Sequence, residues 1–199
     1  MASKTSIANL AIAAHSGDWV DDVDAAQGRT PEAILAVWDT TLEQALAAHP
    51  WKFARWTWRD QPALAATENP DPDLAYAYRL PPDCVRVFET RPKFTFDEWE
   101  NIVTSDTGPA LTLIGVRRSV DIGRFSAYFV QYLAKRLALE ICTPINASEA
   151  IRKRCQEEVA IAFKEATFDN GRAGQVKMPF ADSFLAARTR GVFDGRGRR

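Results

Sequence analysis

Between Val120 and Ala166 apolar residues recur every three to four positions through two stretches, with Thr143-Pro144 between them. Ile122, Phe125, Phe129, Leu133, Leu137 and Ile141 mark the first stretch, and Val130, Tyr132, Ala134 and Leu139 add apolar material to its other faces. This spacing predicts a long helix from about Val120 to Cys142. In the second stretch Ile151, Cys155, Val159, Ala162 and Ala166 face one way, and Arg152, Lys153, Arg154, Glu157 and Glu158 the other, with Asn146 or Ser148 as cap. Two helices joined by so short a break predict an antiparallel helical hairpin, and a hairpin needs neighbours to bury its remaining apolar surface.

The N-terminal half supplies two more helices. Ile7, Leu10, Ala11 and Ala14 fall at helical spacing from about Thr5 to His15, behind Ser3 or Thr5 as N-cap and before Ser16-Gly17 as a stop. Thr30-Pro31-Glu32 reads as an N-cap, a proline at the first helical position and an acid near the positive helix end. Ile34, Val37, Trp38, Thr41, Leu42, Ala45 and Leu46 give that second helix its face, and Pro50 ends it. The loop between the two holds four aspartates around Trp19 and Val23. It lacks calcium-loop spacing and is expected to be solvated and anchored by Trp19.

The stretch His49–Asp60, HPWKFARWTWRD, interleaves four aromatic rings with three cations and alternates like a strand. Two readings compete: a single-stranded nucleic acid stacked on the rings, and a tryptophan-rich core corner with cationic stems across the rings. The second is preferred, because the surrounding chain is not basic. After an irregular ALAATENPDPD connection, the run from Tyr76 to Val116 turns β-prone. YAYRLPPDCVRVFE turns at Pro81-Pro82-Asp83, and FTFDEWENIVTSD and PALTLIGV read as two further strands about a Ser105–Pro109 turn. Together these elements predict an α+β fold, mainly α: a helical bundle with a small antiparallel β-sheet insertion at about 76–116 and an extended C-terminal arm.

Composition matters most at that C-terminus. Residues 171–199 carry seven Lys or Arg against two Asp, a net of +5, so the whole-chain charge of −1 leaves −6 on residues 1–170. The arm sets Met178, Phe180, Phe184, Leu185 and Phe193 among glycines and arginines, a pattern that builds no core of its own and is expected to order against a partner. The chain thus divides into a body, 1–170, and an arm, 171–199. With 46% apolar and 26% charged residues the whole is a globular sequence. No window approaches the ~20 apolar residues of a membrane span. The start, MASKTSIANLAIAAHSGDW, makes a poor signal peptide, since Asn9 and His15 break its apolar stretch.

Catalytic fingerprints are missing. GxSxG, P-loop, HExxH and GxGxxG patterns do not occur, and neither His15 nor His49 belongs to a motif with a nucleophile. Asp97, Glu98 and Glu100 surround Trp99, but adjacent strand residues point to alternate faces, so they make no carboxylate pair. A cell-wall hydrolase, which would have to lean on an acid such as Glu98, therefore finds no motif. Cys84, Cys142 and Cys155 lack CxxC spacing and read as buried thiols acting as small apolar side chains, in preference to a disulfide or zinc site. The sequence predicts no catalytic residue, cofactor or metal.

Three motifs in this order carry a resemblance: Trp51-Lys52-Phe53-Ala54, then Tyr78-Arg79-Leu80-Pro81-Pro82-Asp83-Cys84-Val85-Arg86-Val87, then the paired-helix stretch FVQYLAKRLALEICTPINASEAIRKRCQEEVAIAFKEA. Over roughly residues 5–170 the chain resembles the head-to-tail adaptor, or tail tubular protein A, family of tailed bacteriophages. Position 52 is lysine where family members often have asparagine. The resemblance implies a structural, non-enzymatic virion protein at the portal vertex, assembled in the host cytoplasm. It implies a homo-oligomeric ring, usually of twelve copies, beneath the portal protein. The tail nozzle sits below, and genomic DNA passes through the bore without tight binding. On that basis the arm is expected to bind the portal through Phe180, Phe184 and Phe193, with Arg188 and Arg190 pairing to acidic groups. The alternative, from another class, is a nucleic-acid-binding module that uses the basic C-terminal tail and the Trp51–Trp58 stretch.

Overall fold

The computed structural model describes residues 2–172, apart from 16, 72, 94, 95, 100, 107 and 109. It is an α+β fold with four helices and two small antiparallel sheets, about 47% helix and 21% strand. Helix α1, Lys4–Ala13, begins in a capping box: the Ser6 amide donates to Ser3 Oγ, and the Ser3 amide donates to Ser6 Oγ. Its buried side takes Ile7, Ala8, Ala11 and Ile12. The loop that follows is not anchored by Trp19, which is 72% exposed, but by Val23, which is fully buried. Asn9 decides this. Its side chain accepts from the Val20 amide and donates to the Val20 carbonyl, at 3.0 and 2.9 Å, and so fixes how the loop crosses the helix.

Helix α2, Arg29–Ala47, starts one residue before Thr30. Its N-cap is Gly28 at φ 120°, a conformation open to glycine, and the Glu32 carboxylate accepts the Gly28 amide at 3.2 Å. Pro31 is then the third helical residue, still within the first turn, where no intrahelical N–H is needed. Helix α3, Ala127–Ile141, begins seven residues later than apolar spacing suggests. Asp121 Oδ1 takes the Gly123 amide in a short 3-10 turn, and Ser126 Oγ takes the Phe129 amide. These local side-chain bonds replace helical ones and set the true start.

Helix α4, Glu149–Arg172, follows a reversal in which Asn146 lies at φ 55° and Ser148 Oγ accepts the Ile151 amide. Contacts between Thr143 and Arg152, Lys135 and Glu158, and Tyr132 and Phe163 run in opposite order along the two helices, so α3 and α4 are antiparallel. Helix α3 packs against α1, α2 and α4 at once. Phe129, Tyr132, Leu133, Ala134, Leu137, Ala138 and Ile141 are therefore buried on nearly every side of it.

The expected single sheet is two. In the first, β1 (Arg55–Pro62), β6 (Ala110–Arg117) and β3 (Cys84–Arg91) lie in the order β1-β6-β3. In the second, β2 (Tyr76–Arg79), β5 (Ile102–Ser105) and β4 (Phe96–Trp99) lie in the order β2-β5-β4. The β region thus begins at Arg55 rather than Tyr76. The segment FTFDEWENIVTSD, read as one strand, folds back as the β4–β5 hairpin with Trp99 opposite Ile102. Only two polar residues separate those strands, a turn too short to break the alternation visibly.

Strand β6 serves two cores. Leu111 and Leu113 join Tyr78, Cys84, Val87 and Val103 in a small cluster between the sheets, while Val116 joins the large cluster of the helices. Gly115 makes the close pairing with β3 possible, since a Cβ there would lie 2.1 Å from the Arg86 carbonyl oxygen. Among the described residues no helix is long and apolar enough to cross a membrane.

Candidate functional site

The first resemblance-bearing motif forms a corner. Trp51 is fully buried, its indole N–H donates to the Ala45 carbonyl at 2.8 Å, and its ring meets Phe129 edge-on at 4.9 Å and Phe53 stacked at 6.0 Å. With the ring fixed, the backbone of 49–52 faces the end of α4. The Lys52 amide donates to Asn170 Oδ1 at 2.8 Å, and Lys52 Nζ donates to the Gly171 carbonyl at 3.1 Å. An amide N–H only donates, so Oδ1 is assigned, and Asn170 Nδ2 then donates to His49 Nε2 at 3.0 Å and to the Pro50 carbonyl at 3.3 Å. His49 must accept there, which requires the neutral ring. Burial favours that state by lowering its pKa from 6.5. Helix α4 runs on to Arg172, two residues past the change of composition after Asn170.

Beside this latch opens a cleft of about 360 Å³ with Phe88 and Ile114 in its wall and Lys52, Arg55 and Asn170 around it. Arg55 pairs with Glu89 at 3.1 Å. The four rings of HPWKFARWTWRD do not make one platform. Trp51 and Phe53 pack in the helical core, and Trp58 packs against the inter-sheet cluster. Only Trp56, at 46%, is well exposed, with the Arg117 guanidinium 4.4 Å above its ring. The core-corner reading therefore holds for the first half of the motif and fails for Trp56.

A second surface follows the outer side of the α3–α4 pair. Ile161 and Phe168 are 58% and 67% exposed, and Tyr128 stands near Phe168. A groove of about 320 Å³ runs between Gln131 and Lys135 on α3 and Glu158 and Ile161 on α4. Next to it, a hollow of about 170 Å³ is bounded by Tyr128, Glu165, Phe168 and Arg172. Large apolar side chains gathered on one flank are the usual mark of a contact surface. Phe180, Phe184, Arg188, Arg190 and Phe193, the residues expected to bind the portal, lie outside the described residues.

Glu98 lies exposed on β4. Partial burial of its carboxyl raises its pKa, and the Arg86 charge and the Val87 backbone oppose the rise. Its cleft, about 530 Å³, also holds Glu43, but that carboxylate is engaged by Arg118 at 2.6 Å.

One grouping was invisible in the sequence. His15, Cys142 and Cys155 converge, with ligand atoms all within 4.8 Å of one another. The histidine stands more than a hundred residues from either cysteine, and no spacing rule links such positions. Cys84 belongs to the other core and takes no part. No family model matches this chain, and no curated protein matches it.

Proposed function

We propose that the chain is a structural protein of a tailed-phage virion, a head-to-tail adaptor that forms a ring beneath the portal, receives the tail nozzle and leaves a bore for DNA. The reading starts from the ordered motifs Trp51-Lys52-Phe53-Ala54 and Tyr78 to Val87, followed by the paired helices. In it the four helices are the bundle of the adaptor body and residues 171–199 are its arm. The observation that carries it furthest is the latch. The first motif grips the end of the second paired helix through Asn170 and Gly171, the last residue of the proposed body and the first of the proposed arm.

Phe180, Phe184 and Phe193 then dock on the portal, with Arg188 and Arg190 pairing to its acidic groups, because aromatic residues and Arg dominate interface energetics. Tyr128, Ile161 and Phe168 provide apolar surface for a neighbouring copy in the ring. A body carrying −6 suits a wall that DNA must slide past, since strong phosphate contacts would hold it back. The rival nucleic-acid module loses ground because two of its four stacking rings, Trp51 and Phe53, are committed to the core.

Mixing the purified chain with the cognate portal ring, and weighing the comigrating species by light scattering, tests the proposal. A ring-on-ring complex that saturates at a fixed ratio is expected. An intact portal that takes up no chain at virion-like salt would count decisively against it. Affinity for DNA that falls steeply with salt and depends on the last ~29 residues would favour the module instead.

A further inference from the structure

We propose that His15, Cys142 and Cys155 form a binding site for a thiophilic d10 metal cation, zinc(II) or copper(I), which ties together the ends of α1 and α3 and the first turns of α4. The inference does not depend on the adaptor reading.

It begins with an imidazole whose hydrogen bonding is half complete. His15 Nε2 lies 2.8 Å from the Ala138 carbonyl oxygen. A carbonyl only accepts, so Nε2 carries the proton, and in the neutral ring Nδ1 presents a lone pair. That Nδ1 is buried and has no hydrogen-bond partner. One ring nitrogen of His15, Cys142 Sγ and Cys155 Sγ all lie within 4.8 Å of one another. A histidine that donates one ring nitrogen to a backbone carbonyl keeps the other free to ligate, as metal-bound histidines do, and here two thiols stand beside the ring.

A second orphan atom flanks the same sulfurs. Arg152 Nε is also buried without a partner, although Nη2 of the same guanidinium donates to Thr143 Oγ1 at 3.0 Å. The Arg152 charge acts on Cys142. Among the described residues His15 Nδ1 and Arg152 Nε are the buried side-chain polar atoms left unpartnered. One wants an electron-pair acceptor and the other an anion. A metal held by two thiolates supplies both at once: the cation takes the Nδ1 lone pair, and a thiolate faces the guanidinium.

Donor type selects the cation. Two thiolates and an imidazole suit zinc and copper(I), and disfavour the hard cations that prefer oxygen. Three donors complete a three-coordinate copper(I), whereas zinc(II) would add a water. Metal–sulfur and metal–nitrogen bonds of about 2.3 and 2.0 Å place ligand atoms roughly 3.5 Å apart, so the cluster need close by only about 1 Å.

The test uses the full chain, reduced and kept free of oxygen. Cobalt(II) serves as the spectroscopic probe for zinc, and copper(I) is delivered from a competing chelator. One equivalent of metal is expected to bind. The cobalt complex should show thiolate charge-transfer absorption whose intensity counts two sulfurs, and the melting temperature should rise with added zinc or copper(I). Cys155→Ser and His15→Gln should each weaken binding by more than about tenfold, while Cys84→Ser leaves it unchanged. Should a variant fail to fold, the sulfur count in the unaltered chain still decides. The proposal is overturned if neither cobalt nor copper(I) binds at one equivalent, or if the complex shows no thiolate absorption. It is equally overturned if a Cys142–Cys155 disulfide under oxidation is the only chemistry the pair displays.

Discussion

Trp51 and Trp56 sit five positions apart in one aromatic run, yet they do unlike work. Trp51 fills the joint between α2, α3 and the chain leading to β1, and its N–H is satisfied by Ala45. Trp51→Ala should cost about 3–5 kcal/mol, read as a lowered urea midpoint. Trp56→Ala should cost less than about 1 kcal/mol in the same measurement, since an exposed ring under Arg117 loses little more than a cation–π contact. Composition announced a tryptophan-rich corner without saying which rings would fill it, because that depends on where the strand begins. It begins at Arg55, after a 3-10 turn over Lys52–Ala54. Gly115→Ala is a third test at this scale. The new methyl meets backbone rather than a yielding side chain, so a loss of about 1–3 kcal/mol is expected.

At the scale of elements, the last turn of α4 depends on the protonation state of His49. Its folded-state pKa lies below 6.5, because burial disfavours the cation. Above pH 6.5 both folded and unfolded chains hold a neutral ring, and Asn170 keeps its acceptor. As pH falls the unfolded chain takes the proton first, so stability drops until pH has passed the folded-state value. The protection of amides near Asn170, taken relative to the intrinsic exchange rate at each pH, should therefore be lower at pH 5 than at pH 8, and His49→Gln should flatten the difference. Equal protection at both pH values in the unaltered chain would remove the latch from the account. The helices were legible because apolar periodicity over three or more turns outweighs local detail. Their first residues were not, because Gly28, Asp121 and Ser126 set them through backbone conformation and side-chain bonds that periodicity does not register. The β4–β5 hairpin escaped notice for a related reason: four-residue strands carry too few alternations to reveal a turn.

For the whole molecule, the sharpest expectation concerns the division between body and arm. Cutting after Arg172 spares Asn170, Gly171 and their bonds to His49, Pro50 and Lys52, so the body should melt within a few degrees of the full chain. If the arm docks on the portal, that truncated chain should still assemble with itself but no longer comigrate with portal rings. Loss of self-assembly would instead place the arm against a neighbouring copy. The change of charge between body and arm is open to anyone counting residues. The meeting of His15 with Cys142 and Cys155 is not, since it exists only once α1 has packed beside α3 and α4.

Strand β6 has a further consequence, in time rather than in space. On the ribosome β1 emerges some fifty residues before the strand that pairs with it, and β3 also waits for β6. Helices α1 and α2 wait longer, because both rest on α3. The helical core therefore cannot close until α3 and α4 have been made, whereas the cluster between the sheets has all its residues once β6 has emerged. Trp51 and the other residues of the helical core stay within reach of chaperones until nearly all of the body has been made, so the smaller core can close first and the larger one last.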